Sequence, residues 1–161
     1  MGFSDAVGTC LRNYVAFSGR ARRSEYWWFV LAVALAGLVA SLIDAALGFG
    51  GPRGGGGPIN ALVSLLTFLP LLAAGWRRLH DVGRSGWWLL APPVAALLGA
   101  AAVVAVIELS SGVAGGTATA LSAVPGVLGL AAGIFLLVLL VRRGEPGPNR
   151  FGPPPGATTD A

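Results

Sequence analysis

Four uninterrupted apolar stretches dominate the chain, at residues 26–47, 59–76, 87–107 and 121–141, with short polar segments between and beyond them. Each is about twenty residues long, and at about 1.5 Å rise per residue each helix reaches about 30 Å, the thickness of a bilayer's hydrocarbon core. The pattern predicts an all-α integral membrane protein, a four-helix bundle. A water-soluble domain would not need four such runs, and its charged fraction would lie nearer a quarter than the 11% found. The mean hydropathy of +0.74 agrees.

Ahead of the first span, Phe3, Val7, Cys10, Leu11, Tyr14 and Val15 recur at i, i+3, i+4 spacing. That spacing predicts a short N-terminal amphipathic helix lying in the membrane interface, with Ser4 or Asp5 as its N-cap. A disordered leader is the competing reading. Residues 144–161 are rich in Gly and Pro and cannot bury a core, which predicts an extended cytoplasmic tail after a single membrane domain over 1–143.

Orientation follows from the arginines, since positive charge flanking a span favours the cytoplasmic side. Lysine is absent, and ten of the eleven arginines precede span one, join spans two and three, or follow span four. Only Arg53, within a glycine run, lies in the loop between spans one and two, and residues 108–120 carry none. Both termini are therefore expected in the cytoplasm, with the chain multi-pass in its membrane. The net charge of +4 belongs to arginines at span ends and not to a separate basic domain, so anionic lipid headgroups are the expected partner and nucleic acid is not. About 25 residues precede a first run that is itself span-length, which argues against a cleaved signal peptide. Cys10 stands alone, and no Cys/His grouping has metal-ligand spacing, so neither a metal nor a cofactor is expected.

The five tryptophans Trp27, Trp28, Trp76, Trp87 and Trp88 sit at the inner span ends, where indole rings anchor helices at the headgroup level. Within the spans, small residues recur at helical spacing: Gly37, Ser41 and Ala45 in the first; Ser122, Gly126, Gly129 and Gly133 in the fourth. Such faces let helix backbones approach closely. Pro70, Pro92, Pro93 and Pro125 predict breaks in the helical ladders, tolerated where neighbours satisfy the freed carbonyls. The acids near the membrane, Asp44 and Glu108, fall at outer span ends, where solvation at the interface suffices; this weighs against a proton-coupled transporter.

Arg23-Ser-Glu-Tyr-Trp-Trp28 leads into span one as Arg84-Ser-Gly-Trp-Trp88 leads into span three, and Arg77-Arg78 follows span two as Arg142-Arg143 follows span four. The shared order suggests two hairpins related as a parallel internal repeat. The background reading is that any inward-anchored span begins with Arg and Trp.

The densest polar chemistry is residues 77–88, read as a tight cytoplasmic turn, together with residues 18–25. Arg20, Glu25, Arg78, His80, Asp81 and Arg84 form a candidate collar for an anion or lipid headgroup. Arginine forks engage carboxylate and phosphate alike, so an internal ion-pair lattice and an anion site look the same from sequence. Gly83 and Gly86 permit tight turns. No catalytic residue is assigned: His80-Asp81 lacks a recognisable activated nucleophile.

The strings Phe17-Ser-Gly-Arg20-Ala-Arg-Arg-Ser24-Glu25-Tyr26-Trp27-Trp28, Arg77-Arg78-Leu-His80-Asp81-Val-Gly83-Arg84-Ser85-Gly86-Trp87-Trp88 and Gly147-Pro-Asn149-Arg150-Phe-Gly152-Pro153 resemble the bacterial family called domain of unknown function 805, the YhaH-type inner-membrane proteins. The resemblance covers nearly the whole chain. It implies a small multi-span protein of the cytoplasmic membrane without an assigned reaction. Asn149-Arg150-Phe151 is expected to dock back on the other two motifs.

The resulting expectation is a non-enzymatic scaffold or regulator whose Arg/Trp collar meets anionic headgroups or a protein partner, with homo-oligomers possible. The alternative is a subunit of a small oligomeric transporter or channel with Asn60, Ser64 and Thr67 lining its path. The two readings part on whether that stripe faces a hydrated cavity or a helix contact. A third, an enzyme using His80, requires an open pocket around the imidazole.

Overall fold

A computed structural model describes residues 1–49, 56–109 and 124–156. The expectations attached to Arg53 and most of its glycine run, to the outer loop beyond residue 109 and to Ser122 lie outside the described residues, as does the Glu108 side chain.

Among the described residues the chain is helical, with one isolated bridge between Asn149 and Gly152 and no strand. The elements are α1 (Phe3–Arg12), α2 (Arg23–Ala46), α3 (Pro58–Asp81), a 3-10 turn (Gly86–Leu90), α4 (Ala91–Leu109) and α5 (Val124–Val141). Four helical segments, starting at Arg23, Pro58, Gly86 and Val124, are long and apolar enough to cross a membrane. Their outer faces carry large bare side chains, with Leu65 72% and Leu97 69% exposed, a surface that hydrocarbon accommodates and water does not.

The chain divides into two compact units, residues 1–86 with 143–161 and residues 87–142. In the first, α2 and α3 form a hairpin against which α1 packs. Small residues at Ala40, Ala73, Ala74 and Gly75 are buried there, as is Phe29.

The hairpin's far end is closed by Asp44. Gly57, the N-cap of α3, has no side chain to satisfy the first amides of that helix. Asp44, from α2, does so in its place: Oδ1 accepts from Ile59 N at 3.1 Å and Oδ2 from Asn60 N at 2.8 Å. A carboxylate at a helix N-terminus also meets the positive end of the helix dipole. Asp44 is 1% exposed, so it is held by backbone donors and not by interfacial water, contrary to the expectation from its depth. Gly57 is small because a Cβ would run into that carboxylate.

Four further expectations are corrected. The cap of α1 is Gly2, and Asp5 sits one turn in, accepting from Gly2 N at 3.3 Å. The helix ends at Arg12, where Asn13 turns its amide back on the Thr9 carbonyl at 2.9 Å. Residues 77–81 are not turn but the last turn and a half of α3, and only residues 82–85 make the reversal, with Gly83 at φ +71°. Pro92 and Pro93 fall in the first turn of α4, because the 3-10 turn takes up Gly86–Leu90; a missing N–H costs little there.

Pro70 does lie inside α3, and the helix runs through it. Proline leaves the carbonyl four residues earlier without its donor. That carbonyl is Leu66 O, and the Tyr14 hydroxyl donates to it.

In the second unit, α4 and α5 approach through small residues. A Cβ on Gly99 would stand 2.8 Å from the Pro125 Cα, and one on Gly129 3.2 Å from the Ala96 Cβ. Gly126 and Gly133 have open space where a Cβ would go, so the close face of α5 contains Gly129 with Pro125 and not the Gly126–Gly133 register. Trp88 tilts against Phe135 with centroids 5.3 Å apart.

Candidate functional site

At the arginine-rich end of the first unit, the three sequence motifs meet on Asp81. The residue ends α3, and its carboxylate takes Arg20 Nη2 at 2.8 Å and Nε at 3.0 Å on Oδ1, and Arg78 Nη1 on Oδ2. Arg78 lies one turn earlier on the same helix, the spacing at which opposite charges meet. Arg20 comes from the loop before α2, which Ala21 N pins to the Arg77 carbonyl at 3.1 Å. All three side chains are buried, Arg78 completely.

Arg20 also gathers the tail. Its Nη1 donates to Gly147 O at 2.7 Å and its Nη2 to Glu145 O, while Glu145 N reaches the Asp81 carbonyl at 2.9 Å. Gly144 permits this approach, since a Cβ there would strike the Asp81 carboxylate. Residues 149–152 then fold into a tight turn closed by paired Asn149–Gly152 backbone bonds, with Gly152 at φ +127°.

The turn seats Phe151 flat on His80, with centroids 3.8 Å apart and planes 4° from parallel. Asn149 Nδ2 donates to His80 O at 3.0 Å, and Arg150 Nη2 to Gly83 O at 3.3 Å. The imidazole is further fixed by Gly19 O, 3.1 Å from Nδ1, and by the edge of Trp76. No open pocket surrounds it: His80 is 7% exposed.

A second cluster lies on the other side of α3. Arg77 and Arg78 are one residue apart, about 100° around the helix, so they point to different partners. Arg77 Nη1 donates to Glu25 Oε1 at 2.7 Å, and the Cys10 thiol lies 3.9 Å from the same oxygen. Burial, and then the charge of Glu25, pushes the Cys10 thiol up to about 11 and keeps it protonated. Arg77 is 5% exposed, and its Nε and Nη2 make no hydrogen bond. The cluster borders a cavity of about 610 Å³ between α1, the 18–22 loop and Pro155–Gly156.

Of the collar residues read from sequence, the fold brings Arg20, Arg78, Asp81 and His80 together. Glu25 belongs to the Arg77 cluster, and Arg84 is exposed on the reversal. Arg77 was missed; its adjacency to Arg78 on a helix was the available signal that the pair must diverge. Trp27, Trp28, Trp87 and Trp88 are exposed. Trp76 instead packs edge-on with Phe17 at 5.7 Å and lies where a Cβ on Gly86 would have to be. In the polar stripe, Asn60 Nδ2 donates to Gly37 O at 2.9 Å and to Ser41 Oγ. Ser64 donates to Asn60 Oδ1 at 3.3 Å, and Thr67 to Val63 O at 2.7 Å.

Residues 14–153 match the family described as protein of unknown function (DUF805). The Escherichia coli K12 inner membrane protein YhaH is 34% identical over 145 residues, which cover 90% of this chain and 91% of YhaH. Inner membrane protein YhaI of the same strain is 50% identical over 80 residues, 50% of this chain and 64% of YhaI. No solved structure matches. With four span-length apolar helices and a match that takes in all three clustered motifs, this chain belongs to the DUF805 family, proteins without an assigned activity.

Proposed function

We propose that this protein is a non-enzymatic module of the bacterial cytoplasmic membrane, with both termini in the cytoplasm, that scaffolds or regulates by presenting its arginine-rich end to anionic headgroups. The observation that carries this reading is a division of labour among the arginines. Arg20, Arg77 and Arg78 are buried in ion pairs, whereas Arg22, Arg23, Arg84, Arg143 and Arg150 are exposed. Exposed guanidiniums beside exposed Trp27 and Trp28 suit a headgroup layer, at about 1 kcal/mol per near-surface charge. The two named relatives are inner membrane proteins, which favours the same location here.

Two observations count against the rival readings. The imidazole of His80 is stacked and enclosed, unsuited to substrate access. The Asn60 amide is spent across the α2–α3 contact, which leaves the stripe little to offer a permeating solute.

Native mass measurement of the protein released from mixed phosphatidylglycerol and phosphatidylcholine membranes tests the proposal. Retained lipid should be enriched in phosphatidylglycerol, and the enrichment should fall in an Arg22→Gln, Arg23→Gln, Arg84→Gln variant. Equal retention of both lipids removes the anionic-surface reading, and a capture of stoichiometric protein instead points to a protein partner. Export of a reporter fused to either end removes the topology.

A further inference from the structure

We infer that the reversal after α1, residues 11–17, is a wedge inserted among the acyl chains of the leaflet at the arginine-rich end. Depth can be read off α3. The Cys10 thiol lies 3.9 Å from the Glu25 oxygen that Arg77 holds, so α1 enters the reversal from the level of the arginines. The Tyr14 hydroxyl then donates to Leu66 O, three turns before Arg77 on α3 and so about 16 Å from it along the axis. That separation exceeds the length of a tyrosine side chain, which places the Tyr14 backbone deeper than Arg77. Phe17 returns to Trp76, with ring centroids 5.7 Å apart, and Ala21 N to the Arg77 carbonyl at 3.1 Å. Between Cys10 and Ala21 the chain therefore dips toward the middle of the hairpin and climbs back.

What the dip presents is apolar. Residues 13–19 carry no charge, and Leu11 and Val15 are exposed, Val15 by 62%. The surface is continuous with the lipid-facing sides of the spans: Phe3 meets Trp28 edge-on at 5.9 Å, and Tyr14 reaches the exposed stretch of α3 that contains Leu65 and Leu66. That continuity selects hydrocarbon as the occupant. Arg12, which ends α1, is exposed and donates to Thr9 Oγ1 at 3.2 Å, a charge suited to the headgroup level above the wedge. The reversal is also built for scarce water. Thr9 O takes Asn13 N at 3.0 Å and Asn13 Nδ2 at 2.9 Å, and Asn13 O takes Ala16 N at 3.1 Å. Tyr14 and Leu66 satisfy each other for the same reason, since Pro70 denies that carbonyl its helical donor and lipid offers none.

The wedge deepens the membrane-surface reading and rests on its topology only for naming this leaflet the cytoplasmic one. The test uses the full chain with Cys10→Ala, carrying a nitroxide at Val15→Cys or, in parallel, at Arg12→Cys, in phosphatidylcholine vesicles. The label at position 15 should be accessible to oxygen, shielded from an aqueous nickel chelate, and about 5–10 Å deeper than the label at position 12. Free access of nickel to position 15 overturns the inference. Shielding from both reagents overturns it as well, since a protein surface such as a second copy then covers the site. Where Cys10→Ala does not fold, the unsubstituted chain is photolabelled with phosphatidylcholine bearing a diazirine halfway along an acyl chain. Adducts within residues 11–17 are expected, and their absence while α2 and α3 are labelled overturns the wedge. Full depth in neutral vesicles alongside equal retention of neutral and anionic lipid would sink the anionic-surface reading alone. A shallow label with phosphatidylglycerol still enriched would sink the wedge alone.

Discussion

The two helical hairpins share a hydropathic pattern and are held by different physics. The α2–α3 hairpin is tied at both ends by charge: Asp44 closes one, and Asp81 with Arg20 and Arg78 closes the other. The α4–α5 hairpin closes by contact of small residues, Gly99 on Pro125 and Gly129 on Ala96. Even the similar Arg and Trp strings that open the two halves diverge, since α2 is α-helical from Arg23 whereas Gly86–Leu90 is a 3-10 turn. Apolarity therefore decides that a segment spans, and the polar residues at its ends decide what it holds on to. In a solvent as apolar as the helices themselves, cohesion must come from such hydrogen bonds or from close packing.

Removing the shared carboxylate should have the largest effect. Asp81→Ala leaves two buried guanidiniums without their counter-ion and should cost about 3–5 kcal/mol. Hydrogen exchange should show the loss first around residues 17–25, 77–81 and 144–152. Loss beginning in α4 and α5 would break the comparison.

Next comes the packing side. Gly99→Leu must displace the backbone of α5 at Pro125 and should cost about 1–3 kcal/mol in denaturant unfolding. Gly126→Ala meets nothing within 4 Å and should be neutral or slightly stabilising, because it only strengthens helix propensity. If Gly126→Ala costs as much as Gly99→Leu, the close face of α5 has been misassigned.

A smaller effect attaches to Tyr14. Tyr14→Phe should cost about 1 kcal/mol by orphaning the Leu66 carbonyl. Pro70→Ala restores a helical donor to that carbonyl, so in its background the cost of Tyr14→Phe should vanish. A cost that is the same in both backgrounds would show that the hydroxyl serves something else.

Much of this architecture was legible in the chain. Span number and helical class follow from apolar length, and the grouping of Arg20, Arg78, His80 and Asp81 follows from charge density on one side. What escaped depends on partners distant in sequence. Helix α3 continues to Asp81 because its polar last turn faces a shell built by residues 17–25 and 144–152, and no local signal distinguishes that shell from water. Depth alone predicts a solvated Asp44, yet its partners are amides 15 and 16 residues onward. Charge density alone groups Glu25 with the collar, although its partner Arg77 sits 52 residues away on a different helical face from Arg78. Tyr14 and Pro70 are each ordinary alone, and only the i−4 rule joins them once the chain is folded.

The smallest effect is the most useful probe of the comparison. Cys10 lies on the buried face of α1 beside Glu25 and Arg77, so folding favours its protonated form and raises its pKa from an ordinary 9.0 to about 11. Its contribution to stability is therefore whole below pH 9.0, and fades as pH rises through about 11 and the thiolate is forced into a buried site. At about pH 8 the native thiol should react with maleimide far more slowly than in denaturant, because both access and thiolate fraction are reduced. Labelling then reports opening of the first unit alone. Asp81→Ala should accelerate it, Gly99→Leu should not, and a native thiol that labels at the unfolded rate would mean that α1 does not pack its Cys10 face against α2 and α3.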